Sequence, residues 1–95
     1  MNKMDYFLTY TIRDGESEYE DNALIKSKKP ITTENEKKAF KKFLEENYGD
    51  EAKESFDGYE VGSDYRIFEL GSLVLLTDSE LKAIRKLVTT YTVEV

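Results

Sequence analysis

The sequence predicts an α+β fold, a two-layer sandwich. A mostly antiparallel sheet with an N-terminal β-hairpin would carry two helices on one face. Three observations point there. Residues 4–12 alternate apolar and polar, residues 33–48 and 78–88 carry apolar stripes at helical spacing, and residues 89–95 alternate again. The expected order is β-β-α-(short α)-β-(β)-α-β, within one domain spanning residues 1–95.

The opening strand puts Tyr6, Leu8, Tyr10 and Ile12 on one face and Thr9 and Thr11 on the other. Asp14-Gly15 marks a turn, and residues 18–26 are its antiparallel partner. Side-chain pairing favours a four-residue loop, Asp14 to Ser17. That register sets Ile12 opposite Tyr19, Leu8 opposite Ala23 and Tyr6 opposite Ile25, and pairs Arg13 with Glu18 and Asp5 with Lys26. Tyr6, Tyr10 and Tyr19 share one face of this hairpin, where Tyr6 and Tyr10 are expected to pack under the helices.

In the first helix, Thr33 and Glu36 have capping-box spacing. Phe40, Phe43, Leu44 and Tyr48 form the apolar face, and Gly49 is a natural stop. A second helical turn, Asp50 to Phe56, would place Ala52 and Phe56 inward. Residues 59–77 are strand-rich, with Gly71-Ser72 as either a hairpin turn or a bulge in one long strand. Thr77 and Glu80 form another capping box before a stripe of Leu81, Ile84, Leu87 and Val88. The expected core packs Phe40, Phe43 and Leu44 onto Leu8, Ile25 and Leu81 or Ile84.

Composition excludes much chemistry. The 95 residues contain no Cys, His or Trp, so disulfides, Cys/His zinc sites, thiol nucleophiles and Ser-His-Asp triads have no residues to work with. Leu, Ile, Val and Phe make up 24 of the 95 residues, enough for a lean core. The longest apolar run is Leu73–Leu76, far short of the roughly 20 residues of a membrane span. The first residues lack an apolar signal core, so a cytoplasmic location is the expectation. No cofactor or metal is expected. A cation would need oxygen ligands alone, and Asp57–Asp64 lacks the spacing of a calcium loop.

Charge is the most informative feature. The net charge is -6, unevenly spread. Residues 14–21 carry five acids and no base. Residues 26–42 carry seven Lys against Glu34 and Glu36. Residues 45–69 carry nine acids against Lys53 and Arg66. The lysines alternate with Glu at helical i, i+4 spacing and read as a solvated face. Glu45 and Glu46 fall in the last helical turn, where negative charge opposes the macrodipole at about 0.3–1 kcal/mol each. The expected partner-binding residues are therefore Glu45, Glu46, Asp50, Glu51, Glu54 and Asp57, with Glu46, Asp50 and Asp57 aligned if the helix runs past Gly49. The expected function is a small, non-catalytic protein-interaction domain, an inhibitor or adaptor. Its partner would be a protein, and neither nucleic acid nor membrane. The alternative is a DNA mimic that occupies a basic nucleic-acid-binding enzyme, as phage anti-restriction and anti-CRISPR proteins do. A carboxylate-based enzyme ranks third.

Overall fold

A computed structural model of the chain describes residues 4–56, 58–63 and 65–95. Its elements are β1 (Met4–Asp14), β2 (Ser17–Ser27), α1 (Glu36–Tyr48), β3 (Ala52–Ser55), β4 (Gly58–Val61), β5 (Ile67–Leu75), α2 (Asp78–Ile84) and β6 (Thr90–Thr92). The fold is α+β, as expected. The strands form one six-stranded mixed sheet in the order β3-β4-β5-β1-β2-β6, antiparallel except where β6 runs parallel to β2.

The hairpin register is the one that side-chain pairing selects. Ile12 faces Tyr19, Arg13 faces Glu18 and Asp5 faces Lys26, with Lys26 Nζ 3.8 Å from Asp5 Oδ1. The loop is shorter than four residues, because Asp14 and Ser17 still pair and only Gly15-Glu16 turn. Gly15 has φ +63 and Glu16 does not have positive φ, the pattern of a type II′ turn that matches the twist of the flanking strands. Arg13 Nη2 reaches across to Glu69 Oε1 at 3.0 Å, joining β1 to β5.

Residues 67–75 are one strand with a bulge, not a hairpin. Thr9 faces Ser72 and Tyr10 faces Leu70, leaving Gly71 as the extra residue. A Cβ on Gly71 would stand 2.8 Å from the Thr9 carbonyl oxygen, so only glycine lets the two backbones approach this closely. The bulge also shifts side-chain parity. Leu70 and Leu73, three residues apart, both pack against the core.

Helix α1 contacts β3 at one edge of the sheet and β6 at the other, so the sheet curls around it. Ala39, Phe40, Phe43 and Leu44 are its buried face. They join Tyr6, Leu8, Tyr10, Ile12, Ala23, Ile25, Ala52, Val61, Phe68 and Val93 in one core cluster. Tyr10 and Phe43 meet edge to face at 5.3 Å between ring centres, as do Phe43 and Tyr91 at 5.0 Å.

Four expectations are corrected. The first helix begins at Glu36, not Thr33. Thr33 caps nothing, and Asn35 instead ties the approach by accepting from the Thr32 N–H at 2.7 Å. Residues 52–55 are a strand and not a helical turn, because Gly49 in left-handed conformation ends α1 and redirects the chain. Ala52 is buried, but Phe56 is 100% exposed. Finally, α2 ends at Ile84 and buries no residue, so Leu81 and Ile84 are outside the main core. The positions expected of them are taken by Tyr91 and Val93 of the β6 segment.

The expected layer of two helices on one face is not confirmed, and the sheet instead curls around α1. The β2–α1–β3 and β5–α2–β6 connections each join parallel strands, but they cross the sheet in opposite directions. The two helices are not seen packed together on one face: α1 packs against β3, β4, β5 and β6, and α2 buries no residue. Leu24 lies outside the main cluster, on the other face from Ala23 and Ile25, yet is 0% exposed.

Candidate functional site

Strand register brings together charges that are far apart in the chain. Arg13, next to the hairpin turn, pairs with Ile67 at the start of β5. The same end of the sheet receives Val61 and, through it, Ala52. Ala52 follows the C-terminus of α1, and its N–H donates to Glu45 Oε2 at 3.0 Å. Asp21 of the hairpin lies against Asn47 and Tyr48 of the same helix end. The acids of residues 14–21 and Glu45, Asp50 and Glu51 therefore share one end of the molecule, while Glu46 faces the β6 segment beside Glu94. Lys28 and Lys29 follow β2 at the opposite end.

The expected binding residues are only partly gathered there. Glu45 is half-buried and acts structurally, tying the end of α1 to β3; this offsets its unfavourable place in the helix dipole. Glu46 is exposed, in a groove with Lys42 and Glu94. Asp50 accepts from the Glu51 N–H at 2.8 Å and rests against Gly62. Glu51 is exposed, and its carbonyl accepts from the Gly62 N–H at 2.8 Å. Glu54 lies apart, beside Lys37 at the other end of α1. Asp57 lies outside the described residues, as do Asp57 and Asp64 of the loop considered for calcium. The helical alignment of Glu46, Asp50 and Asp57 is not available, because α1 ends at Tyr48. Among the described residues, the helical pairs of Lys38, Lys41 and Lys42 with Glu34, Glu45 and Glu46 do not close to 4 Å.

The hairpin contributes the more exposed half of this surface. Residues 17–22 of β2 are all exposed, and β6 pairs only with Leu24–Lys26. The outer half of β2 is thus a free edge among the described residues, carrying Glu18, Glu20 and Asp21. Acids on a free edge also discourage edge-to-edge pairing with other chains.

Beside this edge lies a polar cleft of about 300 Å³. Its walls include Tyr10, Asp21, Asn47, Tyr48 and Tyr91. The Tyr10 hydroxyl donates to Asp21 Oδ2 at 3.4 Å, and the Tyr91 hydroxyl donates to Asn47 Oδ1 at 2.8 Å. Burial pushes the Tyr10 phenol well above its ordinary range, and the neighbouring Tyr48 and the Asp21 charge push it further. Burial also raises Tyr48, while Tyr10 and the Arg66 charge pull it back. Arg66 lies 5.9 Å from the Tyr48 ring centre and 5.4 Å from that of Phe68, and donates to the Tyr19 hydroxyl at 3.2 Å.

Alternation in the sequence located Tyr10 on the inward face, but nothing in it linked Asp21 to Asn47 and Tyr48. That link depends on how far the sheet curls. No helix among the described residues is long and apolar enough to cross a membrane, and no group of three or more acids there is arranged to hold a metal ion. Compared with known proteins, the chain gives no significant match to any family model, curated protein or solved structure. Fold and site together define a small acidic α+β domain with one negatively charged end.

Proposed function

We propose that the chain is a non-catalytic interaction domain that inhibits or adapts a protein with a basic surface, using its acidic end. One observation carries the reading. Two acidic segments separated by a lysine-rich stretch meet at the same end of the sheet, where the negative end of the α1 dipole adds to them. The contact surface in this reading wraps the rim of that end: Asp21 on the α1 side of the sheet, Glu18 and Glu20 on its other side, Glu16 at the turn between them, Glu51 after α1, and Glu46 at its border. Glu45 and Asp50 support it from within, and Glu54 is outside it.

The DNA-mimic form of this reading also has a specific support. Glu18 and Glu20 stand two residues apart on one side of an extended strand, a separation of about 7 Å. Such a row suits a groove built for phosphates.

The experiment compares two charge-reversal pairs that change net charge equally. A partner is isolated on the wild-type chain and identified. Its affinity is then measured for Glu18→Lys/Glu46→Lys and for Glu34→Lys/Glu54→Lys. The first pair should weaken binding about tenfold or more, corresponding to about 1.4 kcal/mol. The second should change it by less than about threefold. The loss should also shrink as salt rises, because screening already weakens the wild type. Equal losses would mean that only bulk charge matters, and no loss from the first pair would reject the acidic end as the contact.

A further inference from the structure

We infer that the cleft between Tyr10, Asp21, Asn47, Tyr48 and Tyr91 receives an arginine side chain from the partner. This rests on the proposed function and names the anchor within it. The cleft has the chemistry of a guanidinium receptor. Its lining holds one carboxylate, three tyrosines and two carboxamides, and no cationic side chain. Asp21 Oδ1 accepts from the Asn22 N–H and Oδ2 accepts only the long bond from Tyr10, so lone pairs remain on the carboxylate. Asn47 Oδ1 takes the Tyr91 hydroxyl and keeps a second lone pair. The C-terminus of α1 ends here with no basic residue in its own last turn, and the nearby Arg66 lies over the Tyr48 ring outside the cleft lining, so the negative dipole end adds to the Asp21 charge.

Arginine suits this site better than lysine. A guanidinium is planar, presents several donors in a fixed fork and stacks on aromatic rings, whereas an ammonium is a compact and strongly hydrated point charge. The protein already uses that chemistry next door, where Arg66 lies over Tyr48 and Phe68. An anion would find the opposite of what it needs, a carboxylate and a helix C-terminus.

The probe is N-acetyl-arginine amide, titrated into the ¹⁵N-labelled full chain and followed by NMR. N-acetyl-lysine amide and N-acetyl-citrulline amide, the uncharged near-isostere, are the comparisons. The arginine probe should give saturable shifts at Asp21, Asn22, Asn47 and Thr89, with a dissociation constant in the millimolar range expected of a single side chain. Lysine should bind at least about threefold more weakly, and citrulline should not saturate. Asp21→Asn should weaken the arginine probe about tenfold, while Asn47→Ala weakens it without touching the strand edge. Shifts spread along Glu16–Glu20, equal binding of lysine, or an unchanged affinity in both variants would overturn the assignment. Failure here with a selective loss of partner binding in Glu18→Lys/Glu46→Lys would leave the acidic end standing without its anchor. Arginine binding here without that loss would keep the cleft and reject the interaction surface.

Discussion

The two halves of β2 differ as sharply as any two regions of the molecule. Ala23, Leu24, Ile25 and Ser27 are buried, with Lys26 half-buried between them, whereas every residue from Ser17 to Asn22 is exposed. The inner half has β1 on one side and β6 on the other, with α1 beneath Ala23 and Ile25. The outer half has β1 alone. One continuous strand therefore does two jobs: the inner half holds the fold together, and the outer half is free for a partner. Substitutions in the two halves should separate stability from binding.

The largest effect belongs beneath the inner half. Phe43 is fully buried against Tyr10 and Tyr91. Phe43→Ala removes that ring from a lean core and should cost about 3–5 kcal/mol, read as the loss in chemical unfolding free energy. A domain this small has little more than that to lose. An unchanged midpoint would mean that α1 does not organise the sheet.

The next effect sharpens the boundary between the halves, at Tyr10 and Asp21. Tyr10 is neutral in the folded chain to well above its ordinary range, while in the unfolded chain it ionises near pH 10. The unfolded state therefore binds fewer protons than the folded state above about pH 10, and stability must fall there as pH rises. The slope approaches about 1.4 kcal/mol per pH unit for one such group. Tyr10→Phe should flatten that alkaline limb, measured as unfolding free energy from pH 8 to 11. A limb of unchanged steepness would place its origin elsewhere.

The smallest effect lies on α2, which buries no residue. Its capping box is complete: the Thr77 hydroxyl accepts from the Glu80 N–H at 3.3 Å, and Glu80 accepts from the Thr77 N–H at 2.9 Å. These bonds hold the Glu80 carboxyl below its ordinary range. Thr77→Ala should cost about 1 kcal/mol. Partner affinity should stay unchanged, since α2 lies outside the proposed contact.

Local signals in the sequence were readable where a few neighbouring residues decide the outcome. Alternation placed Tyr6 to Ile12 inward, pairing chemistry fixed the hairpin register, and the Thr77–Glu80 cap starts α2 as its spacing predicts. Local signals failed where tertiary geometry decides. Thr33 and Glu36 have the same spacing as Thr77 and Glu80, but Asn35 holds the chain in another path. Leu81 and Ile84 carry a regular helical stripe, yet α2 buries no residue and neither joins the main core. The bulge at Gly71 depends on how closely Thr9 approaches, a distance no single strand records. For the same reason Glu54, near Asp50 and Glu51 in sequence, is carried away from them along β3, while Asp21 is brought to Asn47 and Tyr48.

The acidic end is the contact only if a partner touches it there. Backbone hydrogen exchange of the full chain, compared free and in complex, reads this directly. Protection should appear at residues 17–22 and 46–51, and exchange at Lys28, Lys29 and across α2 should not change. Protection centred on the lysine-bearing end or on α2, with residues 17–22 exchanging as in the free chain, would contradict it.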